Sequence, residues 1–166
     1  MMRRYGYVGP AELRDLPPVA VAWIRSRDDL AAWLAARPRG ERAEPFTFVV
    51  DLGGMLRLAP RRSEHVACAG GRPVLAAGEM GFATGESGFA AGWRVDRVSN
   101  QSTGYCPGPE CWPAVAAALD AAGIPHPGGF TDAVVFRRCA ACGQRNIVHD
   151  GDFACAVCDT PLPVDG

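Results

Sequence analysis

Apolar positions along the chain recur with two different periods, and the changes of period mark out the elements. Leu30, Trp33 and Leu34 fall at helical spacing behind Ser26 and Asp29, which read as a capping pair, and Pro38 and Gly40 stop the run. This predicts an amphipathic surface helix with Trp33 inward. PFTFVVD then reads as a strand, LGG as a turn and MLRLA as the returning strand, a hairpin from Phe46 to Ala59. A second hairpin is expected from Val66–Ala69, a Gly70-Gly71 turn and Val74–Phe82. Ala83 to Gly92 has loop composition, and WRVDRV from Trp93 alternates as a half-buried strand does. Pro113 suits a first helical turn, Trp112, Val115 and Leu119 share a helical face, and Gly123 is a natural stop, so a helix is predicted over 112–122. AVVF at 133–136 reads as a last short strand. This order of elements predicts an α+β fold, mainly an antiparallel sheet with two or three helices.

Length and charge narrow the classes. The 166 residues suit one domain with a small appendage. With 17 basic and 18 acidic residues the formal net charge is -1, so no global field draws the protein to nucleic acid or an anionic membrane. The longest apolar run, Val19 to Ile24, is far too short to span a bilayer, and MMRRYGYVGPAEL lacks the apolar core of a secretory signal. A soluble, cytoplasmic protein is the expectation. Seven cysteines in such a setting argue for thiols and metal rather than disulfides.

The chemistry concentrates at the C-terminus, CAACGQRNIVHDGDFACAVCDTPLP. Cys139 and Cys142 form one C-x-x-C, and Cys155 and Cys158 form another after twelve intervening residues. Each C-x-x-C can bend into a knuckle that aims two thiolates at one point, and the intervening residues suffice for a hairpin, giving a tetrahedral four-sulfur site. Gly143 fits the positive φ such a turn requires. Ile147, Val148 and Phe153 are candidates for the hairpin's apolar patch, with Asp150-Gly151 at its tip. His149 is a spare ligand candidate, and iron-sulfur or redox use of the same cysteines is the alternative. Residues 139–158 resemble a zinc ribbon, which implies a structural Zn2+, and the chain divides accordingly into an α+β domain (1–137) and a zinc ribbon (138–166). Four thiolates leave no open position for Lewis-acid chemistry. Within 139–158 the one basic residue is Arg145, flanked by Arg137 and Arg138 and opposed by Asp150, Asp152 and Asp159. Docking or stapling is favoured over nucleic-acid binding on that count.

A second concentration of polar residues is VSNQSTGYCPGPECWP, 98–113. With two upstream segments it forms an ordered set: Ser63-Glu64-His65, Gly70-Gly71, Ala77-Gly78-Glu79, Trp93 to Val98, then Ser102-Thr103-Gly104-Tyr105-Cys106-Pro107 before a helix. Over about residues 46–124 this resembles the globular domain of the plant IQ-motif calmodulin-binding proteins and related bacterial domains, whose loop reads Ser-Gly-His-Tyr-x-Pro. Gly104 stands where that loop has histidine, and no IQ motif is present, so no calmodulin role is carried over. Read from the residues themselves, His65 is a candidate acid or base, Glu79 its orienter, and Cys106 a nucleophile. Ser63, Asn100, Ser102, Thr103 and Tyr105 are candidate ligand-binding groups. The structural alternatives are a satisfied His65, buried thiols at Cys68, Cys106 and Cys111, loop hydroxyls and amides spent on the backbone, and a solvated hairpin edge at Arg61 and Arg62. Three functions follow. The first is a binding or adaptor module for a small molecule or protein. The second is a group-transfer enzyme acting on a nucleotide-containing or protein substrate. The third, least supported, is a nucleic-acid accessory factor. Convergence of His65, Glu79 and Tyr105 in one cleft favours the enzyme; loop polar groups all consumed by the loop's own backbone count against it.

Overall fold

The structure, a computed structural model, describes residues 2–84, 92–148 and 151–164. Ser26 caps the first helix as its sequence predicts: its Oγ accepts the Asp29 N–H at 3.1 Å, and the Asp29 carboxylate accepts the Arg25 N–H at 2.9 Å. The helix, α1 (Arg27–Ala35), buries Leu30, Trp33 and Leu34. It follows a short strand, β1 (Ala22–Ile24), and precedes a single turn, α2 (Arg39–Arg42).

The expected hairpin forms. β2 (Phe46–Asp51) and β3 (Leu56–Ala59) pair antiparallel, with Thr47 opposite Ala59 and Val50 opposite Leu56. Asp51 organises the turn, since its Oδ1 accepts the Gly53 and Met55 N–H groups and its Oδ2 accepts Arg57 Nε. Gly54 supplies the left-handed φ of 83°.

The second expected hairpin does not form, because residues 65–68 are helical. α3 (His65–Cys68) is one turn, closed by Ala67 and Cys68 N–H groups on the Glu64 carbonyl. Val66–Ala69 is expected as the first arm of that hairpin, but a four-residue apolar segment fits either period, and the alanines and the prolines at 60 and 73 suit a turn of helix. The strand that follows, β4 (Val74–Thr84), has both edges taken, by β2 on one side and β5 (Trp93–Val98) on the other. The resulting sheet has the order β1-β3-β2-β4-β5, antiparallel throughout. Ala83 and Thr84, expected in a loop, are strand, paired with Arg94 and Trp93; residues 85–91 lie outside the described residues. A register shift between Gly81 and Phe82 breaks the alternation of β5, so its buried side chains are Val95 and Val98, three apart.

α4 (Trp112–Ala122) matches its predicted bounds. Pro113 occupies its first turn, and Gly123, at φ 72°, ends it: Ile124 N–H reaches the Leu119 carbonyl and Gly123 N–H the Asp120 carbonyl, a Schellman closure. The helix lies against β2, β3 and β4. All five leading residues of β2 are buried, as is most of β4, so this sheet is covered on both faces. Burial of a side chain such as Phe48 or Leu58 contributes about 1.5–3 kcal/mol. The segment before the sheet joins it too, through a pair of backbone hydrogen bonds between Tyr5 and Val74.

The last strands, β6 (Val135–Arg138) and β7 (Arg145–Val148), form a separate two-stranded sheet. The boundary expected at 137 falls within β6. Ala133 and Val134, expected in the strand, precede it. Among the described residues no helix is long and apolar enough to cross a membrane.

Candidate functional site

The β6–β7 hairpin delivers the cysteines. Each knuckle is built the same way: Gly143 N–H bonds to the Cys139 carbonyl and Asp159 N–H to the Cys155 carbonyl, both at 2.9 Å. Cys139 N–H then reaches the Gln144 carbonyl, and Cys155 N–H the Thr160 carbonyl. The residue after each pair is left-handed, Gly143 at φ 78° as its sequence predicts and Asp159 at φ 60°. The four Sγ atoms of Cys139, Cys142, Cys155 and Cys158 lie within 4.8 Å of one another. Cys139 to Cys158 and Cys142 to Cys155 are each 3.6 Å. A tetrahedral metal with bonds of about 2.3 Å to sulfur requires sulfur separations of about 3.8 Å. The four cysteines are therefore arranged to coordinate a metal ion, and all seven cysteines of the chain are free.

Polar groups around the sulfurs suit thiolates. Val157 N–H points at Cys155 Sγ at 3.4 Å and Cys142 N–H at Cys139 Sγ at 3.5 Å. The Val157 N–H, together with the Cys158 N–H and the Asn146 amide, brings the Cys155 thiol down to about 6. The Thr160 hydroxyl and backbone lower Cys158. Asn146 carried no sequence signal, yet it joins both knuckles. Its buried amide donates to the Gln144 carbonyl and to Cys155 Sγ, and its Oδ1 accepts the Ala156 N–H at 2.9 Å. Such outer partners fix ligand orientation. Val148 and Phe153 cover the site with Leu162, while His149 and Asp150 lie outside the described residues.

The polar loop contributes to a second feature. A cleft of about 200 Å³ is lined by Thr47, Glu79 and the segment from Arg62 to His65, including Ser63 and Glu64, and by Gln101, Ser102 and Thr103 of the loop. His65 Nε2 donates to the Gly78 carbonyl at 2.8 Å, which fixes the ring and leaves Nδ1 as an acceptor. Burial lowers its pKa, against the opposing effect of the Gly78 carbonyl. Among the described residues the Glu79 carboxylate has no hydrogen-bond or ion-pair partner. Ser99 sets the geometry, its Oγ accepting the Glu79 and Gln101 N–H groups at 3.2 and 3.3 Å.

Asn100, Tyr105 and Cys106 are not brought to this cleft. Asn100 is fully buried and spends its whole amide on backbone: Nδ2 donates to the Pro107 and Val134 carbonyls, and Oδ1 accepts the Val134 N–H. Ser102 Oγ accepts the Tyr105 N–H at 3.3 Å. Tyr105 is buried, its hydroxyl donating to the Arg72 carbonyl at 2.7 Å, and burial pushes its pKa to about 12. Cys106 holds a left-handed φ of 48°, and burial raises its pKa despite the nearby Arg145 guanidinium, so it is no ready thiolate. Cys106 does not line the cleft that holds His65. Cys68 and Cys111 are buried thiols, each pushed to about 12 by burial. At Gly104, a side chain would meet the Tyr7 ring 3.1 Å from its Cβ, and the Gly104 carbonyl accepts the Val8 N–H. The N-terminal segment thus packs directly against Gly104.

Two tests separate these roles. Tyr105→Phe leaves the Arg72 carbonyl without its donor and is expected to cost about 1.5 kcal/mol, or roughly 3–6 °C in Tm; an unchanged Tm by calorimetry would show that the hydroxyl bears no structural load. For His65 the sign follows from its lowered folded pKa. The unfolded chain takes up the proton first as pH falls below the ordinary 6.5, so the His65 contribution is present above that value and lost below it. Tm should therefore drop more steeply between pH 7.5 and 5.5 for wild type than for His65→Gln, and parallel curves would contradict this. Family models, curated proteins and solved structures give no match to this chain, so the resemblance over residues 46–124 stands on its short motifs alone.

Proposed function

We propose that this is a zinc-stapled binding module. The convergence of four thiols at tetrahedral separations carries the reading. An all-sulfur set suits Zn2+ and closes its coordination sphere, leaving the metal to hold the hairpin together. The two cysteine knuckles are read as those of a zinc ribbon, and their free thiols suit a reducing, cytoplasmic setting. Recognition falls to the cleft formed by Ser63, His65, Glu79, Ser102 and Thr103, which offers hydroxyls, an imidazole acceptor and an unspent carboxylate to a polar small molecule or peptide segment. Binding is favoured over group transfer because the cleft holds an acid–base candidate but lacks an activated nucleophile, and Asn100 and Tyr105 are committed to backbone. The near-neutral charge balance disfavours nucleic acid as the partner of this cleft.

Elemental analysis of protein purified under reducing conditions should find about one zinc per chain; iron with visible absorption would overturn the zinc assignment. A thermal-shift screen against polar small molecules other than nucleotides and against short peptides should find a ligand that stabilises wild type but not Glu79→Gln or Thr103→Ala. Ligands that stabilise all three proteins equally would remove the cleft from the account. Turnover of the ligand, lost in His65→Gln, would move the reading to group transfer.

A further inference from the structure

A second groove runs beside the hairpin, and its two ends differ in character. One end, about 360 Å³, is lined by Arg3, Arg137, Arg138 and Arg145 against a single carboxylate, Glu110. The other, about 320 Å³, has Arg145 as its one charged residue and is otherwise uncharged, with Val8, Pro10, Thr103, Phe136 and Ile147 on its walls. Cys106, Phe136 and Arg145 belong to both, so the ends are continuous.

Strand register explains the division. Phe136 is opposite Ile147, and Arg138 is opposite Arg145. Alternate residues of a strand share a face, so one side of the hairpin presents an aromatic–aliphatic pair followed by a pair of guanidiniums. Arg137 and Asn146 occupy the alternate positions; Arg137 borders the basic end but spends its guanidinium on the Phe136, Pro163 and Val164 carbonyls, and Asn146 spends its amide on the cysteine knuckles. Like charges directly opposite one another destabilise a two-stranded ladder. Among the described residues neither Arg138 nor Arg145 has a carboxylate partner, and Glu110 is already engaged by Arg3 at 3.3 Å and by the Tyr5 hydroxyl. An anion between the two guanidiniums relieves that repulsion, and planar guanidiniums suit phosphate best.

We propose that this groove binds a nucleoside phosphate, with the phosphate between Arg138 and Arg145 and the base against Phe136 and Ile147. The ionic end supplies affinity and the apolar end selects a ligand with a flat ring, since an aromatic side chain offers a stacking face to any base. Thr103 is shared with the cleft around His65 and Glu79, but the residues that hold the phosphate are not, so the two sites are separable by mutation.

The test is calorimetric titration of the zinc-loaded full chain with AMP, ribose 5-phosphate, adenosine and inorganic phosphate. AMP should bind with a submillimolar Kd, with each of the other three weaker by about tenfold or more. Arg138→Gln/Arg145→Gln should weaken AMP by about tenfold or more while zinc content and Tm stay unchanged, both side chains being exposed. Arg94→Gln, on β5, should leave AMP binding as it is. Phe136→Leu should bring AMP and ribose 5-phosphate to similar affinities. The proposal fails if AMP gives no binding at millimolar concentration, if the double variant binds AMP as wild type does, or if inorganic phosphate binds as well as AMP. It also fails if a ten-nucleotide RNA displaces AMP with more than about tenfold higher affinity, which would assign the arginines to a nucleic-acid strand.

Discussion

Cys155→Ser is expected to release the metal and unfold the hairpin from Val135 onward while the large domain keeps its fold. Structural zinc contributes about 10–16 kcal/mol of apparent binding free energy in small sulfur-ligated modules, far more than this hairpin can replace. Its own apolar cluster is Cys139, Cys155 and Leu162 with Val148 and Phe153, and two of the three buried members are ligands. The main core, by contrast, runs from Tyr5 to Ile124 and includes no residue of the hairpin. Metal content after gel filtration should therefore fall from about one equivalent to near zero. Limited proteolysis should trim the C-terminal segment, and a single major transition should remain in calorimetry. Stoichiometric zinc with an unchanged Tm would dismiss the four-cysteine centre.

Gly78→Ala carries the second large effect, for a steric reason. A Cβ at this position would stand 1.9 Å from the Ser99 carbonyl oxygen and 2.7 Å from its carbon. Both atoms are backbone, and both belong to the paired stretch in which Ser99 N–H bonds to the Glu79 carbonyl. Relief requires parting β4 from the start of the polar loop, and the Gly78 carbonyl that anchors His65 moves with it. Overpacking of this kind costs about 3 kcal/mol or more, or roughly 6–12 °C in Tm. Gly40→Ala, in α2 with open space around its Cβ and no left-handed φ, should instead be neutral or stabilising by up to about 1 kcal/mol. Equal Tm values for the two variants would refute the argument.

What could be read from the residues depended on whether a local rule decided the outcome. Pro113 and Gly123 bracket α4, Ser26 caps α1, and Asp51 with Gly54 turns the first hairpin, all through interactions a few residues long. The cysteine spacing fixed the metal centre in the same way. Residues 65–68 resisted because four residues cannot distinguish two periods, and the choice was made by β5 taking the free edge of β4. The polar loop resisted for another reason. An amide that satisfies buried backbone and an amide that faces a ligand are the same residue in sequence, and Asn100 serves the carbonyls of Pro107 and Val134, the latter 34 positions away. The N-terminal segment around Tyr5 and Tyr7 was likewise invisible, since Tyr5 and Val8 pair with Val74 and Gly104, remote in the chain; Asn146 was invisible because its link to the second knuckle depends on the fold of the hairpin between them.

The alternation within that loop bears on redesign. Asn100 and Ser102 are buried and hold the backbone, Ser102 also lining the cleft, whereas Gln101 and Thr103 are exposed and line it. A library confined to positions 101 and 103 would therefore vary the recognition surface while the inward pair preserves the scaffold. In that respect the loop behaves as a built-in display site, with diversity admitted at every second residue.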